Sequence, residues 1–318
     1  MKVLVTRRLP GDALKKLAMH CEVDLWEKEA PIPRDTLIDR IRDKDALLCL
    51  LTDKIDAKVM DEAPGLRIIS NYAVGYDNID VMHAIKSSIV VSNTPGVLTD
   101  ATADLTWAII LSLARRIVEA DRFARSGNWQ GWDPNLMLGY DVHSRTLGIV
   151  GAGRIGTAVA SRARGFNMEV VYTSRSINKK MESLVKARRI PLEELLSVSD
   201  FVTLHVPLTP ETKHMIGQRE LSLMKSTAFL INTSRGAVVD EAALVHALQN
   251  KTIAGAGLDV FEHEPSISSR LIELPNVVIL PHIGSATHAT RSKMADIAVE
   301  NIISFMNRGR PLYEVKQA

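Results

Sequence analysis

Residues 146–156 read TLGIVGAGRIG, a short apolar run entering three glycines spaced G-x-G-x-x-G. The next residues, 157–164, have helix-forming composition with small side chains on one side. Strand, tight turn and helix are the context this spacing needs before it means dinucleotide binding rather than an ordinary turn. In that reading Gly151 makes the turn, Gly153 lets the backbone approach a pyrophosphate, and Gly156 lets helix and strand pack closely. The phosphates would lie over the first turn of the helix at Arg154 and Ile155. Unpaired N–H groups and the helix dipole favour negative charge there.

With 318 residues, the chain is long enough for two domains. Hydrophobic residues make up 46% and charged residues 24%, as in ordinary globular proteins. A net charge of +2 without long basic or acidic runs argues against nucleic acid as the main partner. Cys21 and Cys49 are the only cysteines and have no metal-binding spacing, so reduced, buried thiols and no metal are expected. The opening MKVLVTRRLP has too short an apolar run for a signal peptide, and no stretch reaches membrane-spanning length. A cytoplasmic protein without a membrane partner is the expectation.

Upstream of the glycines, segments 2–6, 23–26, 46–51, 66–70 and 89–92 read as strands. Helical patterns at 12–19, 34–42, 58–62 and 80–86 alternate with them, which predicts a parallel sheet with helices on both faces. No glycine fingerprint occurs in this part. The turn at 71–77, NYAVGYD, follows a strand end, where open α/β sheets place ligands; the alternative is a plain turn with Gly75 at positive φ. Asn93-Thr94-Pro95-Gly96 breaks the pattern and marks a boundary. Residues 100–125 read as one long helix, and the irregular SGNWQGWDP at 126–134 follows. Its Trp129 and Trp132 suggest a covered surface, either a subunit contact or packing within one chain. Beyond the glycines, strands are predicted at 169–173, 201–205, 228–232, 255–259 and 277–280, helices at 192–198, 221–224 and 241–248, and a closing helix at 287–306.

An acid that binds the adenosine ribose is expected about 20 residues past the fingerprint, at the end of the second strand. That strand ends Tyr172-Thr173-Ser174-Arg175-Ser176, with Lys179-Lys180 shortly after and no acid in place. A carboxylate would repel a 2′-phosphate, whereas a guanidinium pairs with one through parallel hydrogen bonds. NADPH is therefore favoured over NADH, with Ser174, Arg175 and Ser176 as the contacts; the alternative is a solvated basic loop.

Three further strand ends carry reactive side chains: Arg235 in NTSRG, acids in LDVFEHEP at 258–265, and His282 in PHIGS. Arginine, glutamate and histidine at carboxyl strand edges form a credible catalytic set.

Together these motifs resemble the D-isomer-specific 2-hydroxyacid dehydrogenases, and within them the glyoxylate/hydroxypyruvate reductases. The resemblance rests on NYAVGYDNID at 71–80, the fingerprint, HVPLTPET at 205–212, NTSRGAVVD at 232–240, LDVFEHEP at 258–265 and PHIGSAT at 281–287, in that order. It implies an α/β fold of two doubly wound parallel-sheet domains. A Rossmann cofactor domain at 100–285 would be inserted into a flavodoxin-like substrate domain made of 1–99 and 286–318, where the sequence alone suggests a simple two-domain split.

The resemblance also implies roles. Arg235 would bind the 2-oxo acid, His282 would act as general acid, and Glu264 would orient and charge the imidazole. Val74 and Gly75 would offer N–H groups to the substrate carboxylate, with Leu51 shaping the pocket. Thr102, Thr233 and Ser234 would line the cofactor, and Asp259 and Gly284 would lie near the nicotinamide. His205, Val206, Pro207 and Thr212 would border the adenosine and ribose. Glu262 and His263 are set aside, since the family's acid directly precedes proline. The family implies a homodimer, with Trp132 a candidate to reach the partner's active site. NADPH-dependent reduction of glyoxylate or hydroxypyruvate is the activity implied. Other substrates of the family (D-lactate, phosphoglycerate, phosphite) and a dinucleotide-sensing binding protein are the alternatives.

Overall fold

A computed structural model describes residues 1–316; Gln317 and Ala318, the last two positions of the expected substrate domain, lie outside the described residues. The chain divides into two compact units, one of Met1–Leu98 with the segment from Ser285 onward, the other of Thr99–Gly284. In chain order the second unit interrupts the first.

In the first unit, β1 (Lys2–Val5), β2 (Glu22–Leu25), β3 (Ala46–Cys49), β4 (Ile68–Asn71) and β5 (Val90–Ser92) form a parallel sheet in the order β2-β1-β3-β4-β5, the flavodoxin-like arrangement. The inner strands β1 and β3 are nearly continuous apolar runs because both faces are covered. Leu4, Leu47 and Ile69 face a layer with Ile38 and Ile41 of the helix Arg34–Ile41. Val3, Val5, Leu48 and Ile68 face the other layer, which takes Ala298, Val299 and Ile302 from the helix His288–Arg308. Full burial of a Val, Ile or Leu contributes roughly 1.5–3 kcal/mol. The final helix is thus an integral layer of this unit.

The second unit contains β6 (Thr146–Val150), β7 (Glu169–Thr173), β8 (Arg188–Arg189), β9 (Phe201–Leu204), β10 (Phe229–Asn232), β11 (Gly255–Leu258) and β12 (Val277–Ile279). Their order, β12-β11-β10-β9-β6-β7-β8, is that of a Rossmann sheet. Leu147, Ile149, Phe201 and Ile231 pack on one face, Val150, Val202 and Leu230 on the other. The chain runs outward from β6 to β8, then returns to pair β9 against β6. The switch point therefore lies between the carboxyl ends of β6 and β9, where such sheets bind ligands.

Two expectations are corrected. The single helix over 100–125 is two helices, Thr99–Ala114 and Ile117–Arg125. Between them Arg116 takes φ +52°, and Tyr140 N–H donates to the Ala114 carbonyl at 2.7 Å, so a later segment takes an acceptor a continuous helix would use. The basic stretch after β7 is not a loop throughout. Lys179 and Lys180 open the helix Lys179–Val185, whose first turn is capped by Asn178 accepting from Met181 N–H at 2.9 Å. That helix and the two-residue β8 have too little apolar periodicity to be read from sequence. Trp129 and Trp132 are 59% and 85% exposed, so neither is packed away within the chain. Among the described residues no helix is long and apolar enough to cross a membrane.

The helix break depends on Gly139, where an added Cβ would lie 2.2 Å from the Ala114 carbonyl oxygen. Gly139→Ala should lower the unfolding free energy by about 1–3 kcal/mol through overpacking against backbone, measured by urea titration.

Candidate active site

Directly after β6, Gly151 has φ +100°, and a Cβ there would meet the His205 carbonyl oxygen at 2.6 Å and Val206 Cγ1 at 2.9 Å. The turn thus closes against the segment leaving β9. A Cβ on Gly156 would lie 2.2 Å from the Gly151 oxygen, so the helix Arg154–Ala163 starts hard against the turn. Gly153 differs: the space around it is open, and no side chain caps the helix that begins beyond it. An open cradle facing uncapped N–H groups at Arg154 and Ile155 fits a dinucleotide pyrophosphate.

Flanking this turn, the His205 imidazole contacts Thr203 Oγ1 at 2.9 Å, and burial pulls its pKa down to about 3, so it stays neutral. The Thr212 hydroxyl donates to the Pro207 carbonyl at 2.6 Å and accepts from Thr209 N–H at 2.8 Å, which shapes the same loop. At the end of β7 the Ser174 hydroxyl donates to the Ser176 carbonyl at 2.5 Å. Arg175 is exposed, and its guanidinium has no hydrogen bond or ion pair among the described residues.

The next three strand ends carry the reactive trio. After β10, Asn232 Nδ2 donates to the Arg235 carbonyl at 2.8 Å, while its Oδ1 accepts from Ser234 N–H at 3.0 Å and Ser234 Oγ at 2.8 Å. This side chain shapes the turn that presents Arg235. Thr233 Oγ1 lies 3.1 Å from Thr106 Oγ1 beneath it. After β11, Glu264 Oε1 accepts from Phe261 N–H at 3.1 Å. After β12, His282 Nδ1 lies 2.8 Å from Glu264 Oε2, and the two side chains are 27% and 30% exposed. Burial alone would raise the Glu264 pKa. The hydrogen bond and charge of His282, the Phe261 N–H and the Arg235 charge outweigh it, so the carboxyl sits below its usual value. With Glu264 ionised, the pair is an Nδ1–H···Oε2 hydrogen bond.

His282 has φ +55°, a conformation that costs a non-glycine residue of order 1–3 kcal/mol and needs support from its surroundings. Asp259 supplies it. This residue is 1% exposed, and its two oxygens accept from Ile283 N–H and Gly284 N–H, each at 2.7 Å. Thr102 Oγ1 then donates to the Gly284 carbonyl at 3.1 Å. Burial, against those hydrogen bonds and the His282 charge, leaves the Asp259 pKa raised.

In the first unit, Val74 and Gly75 follow β4. Asn93 Nδ2 donates to the Val74 carbonyl and Asn71 Nδ2 to the Gly75 carbonyl, both at 2.8 Å. With the carbonyls held, the two N–H groups have no acceptor among the described residues. Successive free N–H groups of this kind form an anion-binding concavity. Gly75 is not at positive φ, so the plain glycine-turn alternative does not describe this segment. Leu51, after β3, is half-buried in a turn closed by Asp53 N–H donating to the Leu50 carbonyl at 3.0 Å.

Sequence reading missed the asparagines 71, 93, 178 and 232, each of which holds backbone next to a candidate ligand group. Their only sequence signal is an amide at or near a strand end. Glu262, set aside above, pairs with His214 at 2.7 Å.

Dehydrogenases that use a dinucleotide are the class in which a Rossmann sheet carries such a trio beside its glycine turn. The sequence profile of "D-isomer specific 2-hydroxyacid dehydrogenase, NAD binding domain" matches residues 107–284. A glyoxylate reductase of Thermococcus onnurineus is 53% identical over 310 residues, 96% of this chain and 93% of that one. A crystal structure of a Thermus thermophilus protein superposes with a TM-score of 0.93 at 47% identity, covering 99% of this chain and 100% of that one. An NADPH-dependent glyoxylate/hydroxypyruvate reductase of Sinorhizobium meliloti, in complex with NADP and malonate, gives 0.88 at 34% identity over 100% of this chain and 99% of that one. The chain belongs to the D-isomer-specific 2-hydroxyacid dehydrogenase family. It is accordingly an enzyme that reduces 2-oxo acids with a nicotinamide dinucleotide.

Because Asp259 alone holds the Ile283 and Gly284 N–H groups, Asp259→Ala should lower the unfolding free energy by about 1–3 kcal/mol per orphaned donor that stays buried. Urea titration at pH 7 measures it.

Proposed function

We propose that this enzyme reduces glyoxylate, with hydroxypyruvate as a second substrate, and prefers NADPH to NADH. The observation that carries the reading is the Glu264–His282 pair at 2.8 Å, with the Arg235 charge acting on the same carboxylate. The names of the T. onnurineus and S. meliloti relatives support the substrate class.

In the second unit the Arg235 fork suits a planar carboxylate, and in the first unit the N–H groups of Val74 and Gly75 suit the same kind of anion. Gly151, Gly153 and the N–H groups of Arg154 and Ile155 would hold the pyrophosphate of a reduced nicotinamide dinucleotide, which would supply the hydride to the carbonyl carbon. As the C=O π bond breaks towards oxygen, His282 Nε2 gives its proton to that oxygen, and the product is the 2-hydroxy acid. Glu264 stabilises the imidazolium before transfer and keeps the ring oriented throughout. Asp259, Thr102 and Gly284 hold the histidine turn at the nicotinamide end. Thr233 and Ser234 line the same side. His205, Val206, Pro207 and Thr212 border the adenosine, and a neutral His205 suits an uncharged base.

Ser174, Arg175 and Ser176 take the 2′-phosphate. Support comes from the exposed Arg175 guanidinium and the absence of an acid at the end of β7. The roles follow the two units: 1–99 with 286–318 for substrate, 100–285 for cofactor. Ile117, Trp129, Trp132, Leu138 and Tyr140 are exposed large apolar side chains close in sequence, and their cover by a second copy in a homodimer is part of the proposal.

Loss of absorbance at 340 nm with glyoxylate, hydroxypyruvate and pyruvate, each with NADPH and NADH, tests the reading. Fast turnover of the first two with NADPH is expected. Turnover with NADH alone would remove the cofactor preference, and silence on all three would favour a dinucleotide-sensing role. His282→Ala should lower kcat by about 10²–10⁴-fold, the range of general acid catalysis, whereas kcat near wild type would remove the residue from that role. Arg175→Ala should weaken NADPH by roughly 10- to 100-fold, as expected for a lost charge-assisted hydrogen bond, with little change for NADH. Calorimetric titration of each cofactor reads it.

A further inference from the structure

The cofactor-selecting turn is itself held by an arginine from a different strand. Arg189 lies on β8, the edge strand paired in parallel to β7 with Tyr172 opposite Arg189. Its guanidinium reaches the segment leaving β7: Nε donates to the Ser174 carbonyl at 3.1 Å, Nη2 to the same oxygen at 2.8 Å, and Nη2 again to the Arg175 carbonyl at 3.3 Å. Two successive carbonyls are thus drawn to one planar cation. A fork with donors in fixed directions suits this task, and a lysine does not reproduce it.

The other side of the turn is tied to the glycine loop. Asn178, four residues beyond Ser174, donates from Nδ2 to the Ala152 carbonyl at 2.8 Å and to Thr157 Oγ1 at 2.9 Å, and its backbone N–H donates to Tyr172 Oη at 2.9 Å. Residues 174–178 are therefore anchored at both ends, by Arg189 and by Asn178. Arg175, at the apex, is left with an exposed guanidinium that makes no hydrogen bond or ion pair among the described residues.

We propose that Arg189 is a positioning residue for NADPH selectivity, fixing the Ser174–Arg175 backbone so that the Arg175 guanidinium is preorganised for a 2′-phosphate. The inference rests on the reading of Arg175 as the phosphate contact and adds the residue that makes that contact effective. Without the brace, ordering the turn on binding costs conformational entropy, and this cost falls on the ligand that needs the turn in one conformation. NADH lacks the phosphate and is largely spared.

A double-mutant cycle tests the proposal, with dissociation constants for NADPH and NADH measured by calorimetric titration of Arg175→Ala, Arg189→Ala and the double variant. Arg189→Ala is expected to weaken NADPH about tenfold while NADH changes less than about threefold. The double variant should be no weaker for NADPH than Arg175→Ala alone, because Arg189 acts through Arg175. Added guanidinium ion should restore part of the NADPH affinity of Arg189→Ala, and Arg189→Lys should fall between wild type and alanine. Melting temperatures of all variants check that the fold is retained.

Selective loss in Arg175→Ala with none in Arg189→Ala overturns the brace and leaves the NADPH reading standing. Additive losses in the double variant overturn the positioning role and put Arg189 on the phosphate itself. Equal losses for both cofactors in Arg175→Ala overturn the NADPH reading, and the proposal with it.

Discussion

Close backbone approach at the carboxyl ends of β6 and β9 is the constraint from which the rest of the site follows. Gly151 turns with its α-carbon so near the His205 carbonyl that a methyl group has no room. The helix Arg154–Ala163 can begin there only because Gly156 also lacks a side chain. This contact brings uncapped helix N–H groups to the switch point of the sheet. It also fixes the distance from the glycine turn to every later strand end in the unit, since β9, β10, β11 and β12 follow in order across the sheet. The glycine turn and the turns that carry Arg235, Glu264 and His282 thus lie along the carboxyl edge of one sheet.

Along that edge the same device recurs. A short polar side chain at or just past a strand end takes up backbone groups of the following turn, and the turn presents the functional group. Asn232 does this for Arg235 and Asp259 for His282. In the first unit Asn71 and Asn93 take the carbonyls of Gly75 and Val74 and leave the N–H groups outward. Each device holds backbone in a shape it would not otherwise keep, the positive φ of His282 being the clearest case. Within each unit these turns are held by the chain's own hydrogen bonds, the kind of preorganisation on which electrostatic catalysis relies.

Much of this was legible in the sequence, for identifiable reasons. Parallel strands buried on both faces are continuous apolar runs, so β1, β3, β6, β9 and β10 could be placed from composition alone. The trio could be read because each member follows such a run within a few residues. Three features could not. The break at Arg116 depends on Tyr140 returning to the Ala114 carbonyl, a contact that no local pattern encodes. The two-residue β8 exists because β7 offers it an edge, and its arginines carry no strand propensity to speak of. The bracing amides look like ordinary turn residues until their partners are known.

The order of the units along the chain also bears on how the protein is made. One face of the first sheet is covered by Ala298, Val299 and Ile302 from the last long helix. As the chain leaves the ribosome, residues 1–98 emerge with Val3, Val5, Leu48 and Ile68 still lacking that cover. The interrupting unit, by contrast, is complete in itself once Gly284 has emerged. The inserted unit thus has all of its core residues in hand before the first unit does, against the usual amino-to-carboxyl sequence of domain completion. The face of the first sheet that carries Val3, Val5, Leu48 and Ile68 is closed only once the helix His288–Arg308 has been made.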